Sequence, residues 1–326
     1  MNPVDDTFWR RLLSVLAGTW PAFQPHTGPP ITTSPDDTFW RRLLSVLAGT
    51  WPAFQPHTDQ YRYPRPATTI KPGQNLNNAV LAHANLAHTN LRRVKLNHAN
   101  LTSANLTSAN LYRARLTRAN LTHADLAYAN LHGADLGRAN LRGANLTGAN
   151  LTHANLTGAN LTGANLTGAH LTHANLHGAH LTHANLISAN LTGAHLPDAD
   201  LRDAHLIGAV LFGAVLFGAH LGRANLHGAH LGRANLTHAH LRGADLRDAD
   251  LTHAHLRDAH LHGANLTGVN LRPLAELTDV WWSDSTIWGH RQKEAQARSE
   301  QVSPGMWILN PTNGNEKRVT TPEPAR

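Results

Sequence analysis

Residues 149–163 read Ala149-Asn150-Leu151-Thr152-His153-Ala154-Asn155-Leu156-Thr157-Gly158-Ala159-Asn160-Leu161-Thr162-Gly163, one pentapeptide written three times. Working outward from it, Leu recurs at every fifth position from Leu76 to Leu271, forty times without a gap. Ala stands two residues before Leu in 36 of the forty; the exceptions are Gln74, Thr89, Val94 and Val269. The residue just before Leu is Asn in 21, His in 9 and Asp in 5. Self-similarity at a fixed period marks a repeat architecture and overrides a domain count drawn from length.

A period of five fits neither regular element. On an α-helix five residues advance about 500°, so successive Leu side chains step about 140° and visit every face. Gly, Asn and Thr in each unit are also weak helix formers. On a straight strand the side-chain period is two, so an odd spacing sends Leu to alternate faces. The pattern is satisfied when the chain turns a corner after each pentapeptide, always the same way. Leu then points to the axis, Ala fits inside the corner, and Asn or Gly is expected to take the tight-turn geometry. Stacked coils pair their backbones about 4.8 Å apart and build the core as a Leu ladder. Leu101, Leu121, Leu141, Leu161 and Leu181 are examples of its predicted members. An all-β solenoid follows from the period; the number of its sides does not.

The Ala-Asn-Leu-Thr-Gly units from Ala149 onward resemble the pentapeptide-repeat family, and the resemblance covers roughly residues 74–272. It implies a right-handed, four-sided parallel β-helix with twenty residues per coil, hence about ten coils and a rod on the order of 48 Å long. One departure is that the central position is always Leu and never Phe.

The flanks are different in kind. Residues 5–27 recur unchanged at 36–58, joined by a Pro-rich spacer from Gly28 to Pro35. In each copy Trp9, Leu12, Leu13 and Leu16, or Trp40, Leu43, Leu44 and Leu47, share one helical face. Asp6 or Asp37 suits the start of the helix and Gly18 or Gly49 its end. Residues 1–58 are therefore expected to be a duplicated amphipathic helical segment, and 59–73 a Pro-rich linker. After Leu271 the repeat stops at Pro273, and Trp281, Trp282, Trp288 and Trp307 bring in large side chains. Residues 273–311 read as a Trp-rich C-terminal cap over an otherwise exposed Leu ladder and strand edge. Within it, Arg291 to Val302 suggests a polar helix and Met306 to Leu309 a strand. Residues 312–326 read as a disordered tail.

Composition narrows the chemistry. The 326 residues hold 28 Lys plus Arg against 21 Asp plus Glu, a formal net charge of +7, with 25 His and no Cys. Disulfides, thiolate metal sites and Cys nucleophiles are thus excluded. There is no Gly-rich phosphate loop or nucleophile elbow, and no Glu between Leu76 and Leu271. No enzymatic activity, cofactor or small-molecule substrate is expected. No apolar run approaches the roughly 20 residues that span a bilayer, and Asp5 and Asp6 interrupt a signal-peptide start. The expected location is cytoplasmic, with peripheral membrane contact through the N-terminal helices as the alternative.

Four groups of outward residues are candidates for function. In a twenty-residue coil Asp200, His220, His240 and His260 stack in one column, where imidazoles about 5 Å apart could share a transition metal. The competing reading is a solvent-facing slot that tolerates His as it does Asn, since no companion ligands are visible. Arg92, Arg93, Lys95, Arg113, Arg115, Arg118, Arg138 and Arg142 face only Asp125 and Asp135 over the same stretch and gather at one corner. This is a candidate anion or nucleic-acid patch, set against a plain solvated face because Tyr112 is the one aromatic nearby. Ile187, Ile207, Val210, Phe212, Val215 and Phe217 form an apolar surface patch that a partner, a second copy or the N-terminal helices would cover. Thr columns such as Thr152, Thr172 and Thr192 suggest an ice-binding face, but Phe212 and Gly232 interrupt them.

The reading is a non-enzymatic scaffold that presents ordered faces to a protein partner, with self-association or an anionic partner as further candidates. The family resemblance also implies a DNA-mimic role towards gyrase. That mechanism needs an acidic surface, whereas Leu76–Leu271 holds 14 Lys or Arg against 9 Asp. Charge thus disfavours mimicry and leaves nucleic-acid or anionic-surface binding through the Arg corner as the alternative.

Because solenoid contacts are local, deleting residues 1–58 is expected to leave the β-rich circular dichroism spectrum intact. A truncated chain that fails to fold would show that the duplicated segment is an essential part of the fold.

Overall fold

The computed structural model describes residues 70–312; the duplicated segment 1–58, most of the 59–73 linker and the tail beyond Thr312 lie outside the described residues. Within them the backbone hydrogen bonds of one pentapeptide explain the rest. Leu161 N–H donates to His180 C=O at 2.7 Å, Gly163 N–H to Thr182 C=O at 3.0 Å, and Asn165 N–H back to Ala144 C=O at 2.9 Å. Ala164 N–H closes the turn on Leu161 C=O at 2.9 Å. The fifth donor, Thr162 N–H, is met by the Asn160 side chain, whose Oδ1 accepts it at 3.0 Å. Every amide of the unit is therefore satisfied, as a chain this tightly coiled requires.

That accounting corrects one expectation. The Asn before Leu is not the residue with turn geometry; it lies in the extended segment and its Oδ1 caps the turn beginning two residues on, an Asx arrangement. The left-handed conformation falls on the second residue after Leu. The 39 such positions from Asn78 to Gly268 all have positive φ: 15 are Gly and 24 are not. Positive φ at this position, with the Ala-to-Leu hydrogen bond, is the pattern of a type II turn.

Each residue in the Asn slot pairs in parallel with the residue twenty further along, from Asn75↔Lys95 to Asp245↔Asn265. A turn every five residues leaves one pairing residue per segment, so most of the stack consists of single bridges. Only β1 (Asp250–Leu251) and β2 (Asn270–Leu271) extend to two residues. The stack is already hydrogen-bonded at Gly73, whose N–H donates to Arg92 C=O at 2.8 Å. Leu101, Leu121, Leu141, Leu161 and Leu181 are fully buried, as are the Ala residues between them. The core is one continuous column of Leu and Ala.

The C-terminal residues continue this stack and then close it. Strand β3 (Val280–Ser283) bridges the last coil through His260↔Trp281, and Asn265↔Ile287 follows. Helix α1 (Gln292–Ala297) leads into β4 (Ser299–Ser303) and β5 (Met306–Leu309), giving an antiparallel sheet in the order β3-β5-β4. The single polar helix suggested for Arg291–Val302 is thus divided, because β5 captures residues 299–303 as a strand. Trp282 and Trp288 are buried and meet edge to face at 6.0 Å, while Trp307 stacks on Trp282 at 5.6 Å. Trp282 Nε1 donates to Ser299 Oγ at 2.9 Å and the half-buried Trp307 Nε1 to Asp284 at 2.6 Å, whereas the buried Nε1 of Trp288 has no hydrogen-bond partner. Among the described residues no helix is long and apolar enough to cross a membrane.

Replacing Leu161 by Asp puts an unpaired carboxylate in the sealed ladder and is expected to cost several kcal/mol, on the order of the penalty for burying a polar group. Replacing its neighbour Thr162 by Asp should cost under about 1 kcal/mol. Thermal melts of the two variants separate them; equal shifts would overturn the inward placement of Leu.

Candidate functional site

The outward slots are the residue before Leu and the two after it, and the twenty-residue register fixes what each one meets. At the column Asp200↔His220↔His240↔His260 the imidazoles stack face to face: His220 on His240 at 4.8 Å, and His240 on His260 at 5.0 Å. The column ends on the indole of Trp281, 5.9 Å from His260. Asp200 is turned to Arg202, which donates to it from Nε at 2.8 Å and from Nη2 at 2.6 Å. Parallel rings do not converge their lone pairs on a point, and the one carboxylate is already engaged. Among the described residues no group of three or more His, Asp or Glu is placed to hold a metal ion.

The apolar residues lie partly in a column and partly along one coil. Ile187 and Ile207 fall in one column, but Ile207, Val210, Phe212, Val215 and Phe217 follow one another along half of a single coil. They form a band around successive sides, with Phe212 46% and Phe217 43% exposed and the other four half-buried. Each ring lies over the next coil. The Arg233 guanidinium sits 5.6 Å from the Phe212 ring, and His238 meets Phe217 edge-on at 5.3 Å. Gly232 beneath Phe212 matters here, since a Cβ at that position would stand 3.1 Å from the ring.

The basic residues are where sequence and geometry combine furthest. Arg92, Arg93, Lys95, Arg113, Arg115, Arg118, Arg138 and Arg142 are all exposed, and among the described residues none has a carboxylate within ion-pair distance. Four of the six arginines between residues 181 and 271 are instead paired with carboxylates, Arg233 and Arg242 being the two that are not. Arg202 pairs with Asp200 at 2.6 Å, Arg223 with Asp203 at 2.8 Å, and Arg247 with Asp245 at 2.7 Å. The two carboxylates near the basic group are occupied by neutral donors. Asp135 accepts from Thr117 and Asn155, each at 2.9 Å, and Asp125 from Asn145 at 3.0 Å.

Arg93 and Arg113 share one column, Lys95 and Arg115 the next, and Arg118 and Arg138 a third. Arg142 begins the following side, four residues on from Arg138, so it lies at the margin of the group. Lys95 and Arg115 occupy the Asn slot and cannot supply its Oδ1. Asn77 and Asn97 do so from the preceding coil, accepting from Asn97 N–H at 3.0 Å and Thr117 N–H at 3.2 Å. A cleft of about 350 Å³ between the columns is lined by His98, Thr117, Arg118, Asp135 and Arg138, among others.

Sequence reasoning placed only one aromatic beside these cations, but the fold supplies more. Arg92 and Arg113 bracket the Tyr112 ring at 5.0 and 5.2 Å. His132 stacks on Tyr112 at 5.5 Å, His153 meets His132 edge-on at 5.6 Å, and His173 stacks on His153 at 5.4 Å. The ladder passes between the two turn positions, from residue 132 to residue 153, a step of 21 that a search at the twenty-residue interval misses.

Comparison with known proteins matches this chain to the family model for pentapeptide repeats, in 8 copies between residues 75 and 272. A search of curated proteins finds no match. Among solved structures, HetL, a pentapeptide repeat protein involved in heterocyst differentiation regulation from the cyanobacterium Nostoc sp. strain PCC 7120, is 40% identical. The match covers 59% of this chain and 90% of HetL, with a TM-score of 0.35. QnrB1, a plasmid-mediated fluoroquinolone resistance protein, is 17% identical over 55% of this chain and 89% of its own, with a TM-score of 0.50. A pentapeptide repeat protein of the Arabidopsis thaliana thylakoid lumen is 31% identical over 32% of this chain and 77% of its own, with a TM-score of 0.31.

The paired carboxylates of the later coils set an acid limit on stability. Hydrogen bonds from Arg223 and Arg247 hold Asp203 and Asp245 below the ordinary carboxylate range, and the Thr252 hydroxyl does the same for Asp250. For Asp200 burial pushes upward most strongly, but the combined hydrogen bonds and charge of Arg202 outweigh it and the net direction is down. Since the folded values lie below the unfolded ones, the folded state binds fewer protons. Their stabilisation is full above about pH 4 and lost as pH falls through the depressed folded values. In a melting series from about pH 5 to pH 2, replacing Arg202 and Arg247 by Ala should flatten the acid limb slightly, because exposed pairs are screened. Identical limbs would mean that these pairs do not contribute.

Proposed function

The chain belongs to the pentapeptide-repeat family, and from that membership we propose that it is a non-enzymatic scaffold whose outward slots bind a macromolecular partner. The working geometry is a right-handed, four-sided β-helix of about ten coils, closed at its C-terminal end by the Trp-rich segment 273–311. One observation carries the reading. Leu and Ala positions hardly vary over forty repeats, whereas the three outward slots hold charge, imidazole, amide and aromatic groups in blocks. A repeat needs no such blocks to fold, because its stability resides in the core and in contacts between neighbouring coils.

Two features support binding over catalysis. The ionisable groups stand on a convex surface, and the stacked imidazoles are directed at one another instead of at a shared substrate position. Catalysis requires a concave site that excludes water and brings such groups together. A DNA-mimic role is disfavoured because the coherent charged surface is basic and its cations are unpaired.

The test is affinity capture from the native host by the full chain and by a variant with Phe212 and Phe217 replaced by Thr. Partners bound through outward slots should include some whose capture depends on that band or on the basic columns, with β-rich circular dichroism unchanged. A chain from which no captured protein responds to any outward substitution would remove the scaffold reading.

A further inference from the structure

We infer that the basic columns between Arg92 and Arg142, with the ring ladder from Tyr112 to His173, form a docking rail for single-stranded nucleic acid. The inference deepens the scaffold reading by naming one surface and its ligand. Charge distribution is the first support. Residues 76–180 hold eight Lys or Arg and two Asp, whereas 181–271 hold six and seven. In the later block Arg202, Arg223 and Arg247 are paired within the chain; in the earlier block all eight cations are left for an external anion. An unpaired, exposed cation block is the electrostatic footprint of a phosphate backbone.

Backbone conformation is the second support. Arg93, Arg113, Arg118 and Arg138 sit in the left-handed region, with φ of 55, 53, 58 and 57°. Gly occupies that position elsewhere in the same columns without strain, as at Gly133 and Gly158. An L-residue there costs roughly 1 kcal/mol or more relative to Gly, and Arg gains nothing from the local hydrogen bonding that reconciles Asn or Asp to it. The second and third columns impose a further demand, since Lys95 and Arg115 displace the Asn cap that Asn77 and Asn97 replace. Local strain retained against an easier alternative points to a role outside the fold.

The third support is the ring ladder, which selects among polyanions. Basic columns that follow a backbone, beside rings that meet bases, are the joint requirement of single-strand binding. From Arg93 to His173 the rail rises four coils, about 19 Å at the sheet spacing. A single strand can lie along this convex corner and meet cations and rings together. A duplex is itself convex and hides its bases, so it would touch a few phosphates and none of the rings. The ladder rings already contact one another and two guanidinium groups lie over Tyr112, so bases meet the outer edges of the rings.

The experiment uses the full chain and a fluorescent single strand of mixed sequence, about 20 nucleotides long, at several salt concentrations between roughly 50 and 200 mM. One variant carries Arg93→Ser, Arg113→Ser and Arg118→Ser; Ser already occupies the same left-handed slot at Ser103, Ser108 and Ser188. A control removes three cations from the later coils, by Arg223→Ser, Arg233→Ser and Arg242→Thr. Circular dichroism and melting are matched for both before binding is measured. We expect the first variant to lose about tenfold or more in affinity and to lower the salt slope by about 2, with the control within about threefold of the parent. Replacing Tyr112 by Thr should weaken binding with the salt slope unchanged, since the ring contributes no charge. Equal losses in the two triple variants would reduce the effect to net charge and overturn the proposal. So would tighter binding to the matching duplex or to phosphatidylserine vesicles, or no binding to the single strand. The scaffold reading is judged separately by protein capture, so it survives each of those outcomes.

Discussion

The hydrogen bond that each coil makes to the next is the constraint from which the structure follows. A pentapeptide has five amide donors: two reach the following coil, one the preceding coil, and one closes the turn. The fifth, on the residue after Leu, has no backbone acceptor. The fold meets it with the side-chain oxygen of the residue before Leu, as Asn160 does for Thr162. This explains why that slot holds Asn or Asp in 26 of forty repeats, a preference that hydrophobic patterning does not require. In two of the repeats where another residue takes the slot the acceptor comes from the preceding coil, and in a third the donor is itself absent. Asn97 serves Thr117 above Arg115, and Pro197 follows His195 with no N–H to satisfy.

Much of this was legible in the sequence, and the reason is physical. A five-residue period admits one consistent solution, so the inward Leu ladder and the corner after each unit could be read from Leu76 to Leu271 alone. The twenty-residue register needed the family resemblance, because the period fixes the turn and leaves the number of turns per coil open. Asn was assigned to the turn on propensity. In the structure the turn conformation belongs to His, Arg, Ser, Asp and Gly two residues after Leu, where the fold overrides propensity. The division of Arg291–Val302 between α1 and β4 was hidden for a similar reason, since its strand half is defined by pairing with β5.

The functional surface was legible in its charges and obscure in its contacts. The basic residues stand out by composition, but their lack of partners depends on which Asp shares their column. Asp135 continues the Lys95 and Arg115 column, yet its oxygens are turned to Thr117 and Asn155. The ring ladder depends on a side chain in one turn position reaching a different turn position of the next coil, as His132 reaches His153. Side-chain length and lean decide such a contact. The apolar band is the opposite case: its residues are close in sequence, and the register spreads them along one coil.

Glycine usage along the turns ties the fold to its proposed use. From Asn78 to Tyr128 eleven consecutive left-handed positions carry no Gly; from Gly133 to Gly268, 15 of 28 do. At Gly143, Gly148 and Gly193 a Cβ would stand 2.6 or 2.7 Å from the ring of His123, Tyr128 or His173, so these Gly make room for the preceding coil, but at Gly163, Gly168, Gly178, Gly213 and Gly228 nothing lies within 4 Å and packing gives no reason for the difference. Gly is the residue of least strain at such a position, at roughly 1 kcal/mol or more below an L-residue. The first coils therefore carry more turn strain than the later ones, and what they have in exchange is a side chain at every corner. If those side chains merely kept the surface wet, Ser or Asn would serve at lower cost, yet the positions include four arginines, four histidines and a tyrosine within or beside the unpaired basic block, from His83 to Arg138. The uneven strain and the uneven charge thus fall on the same coils, which locates the outward-facing task of this solenoid in its N-terminal half.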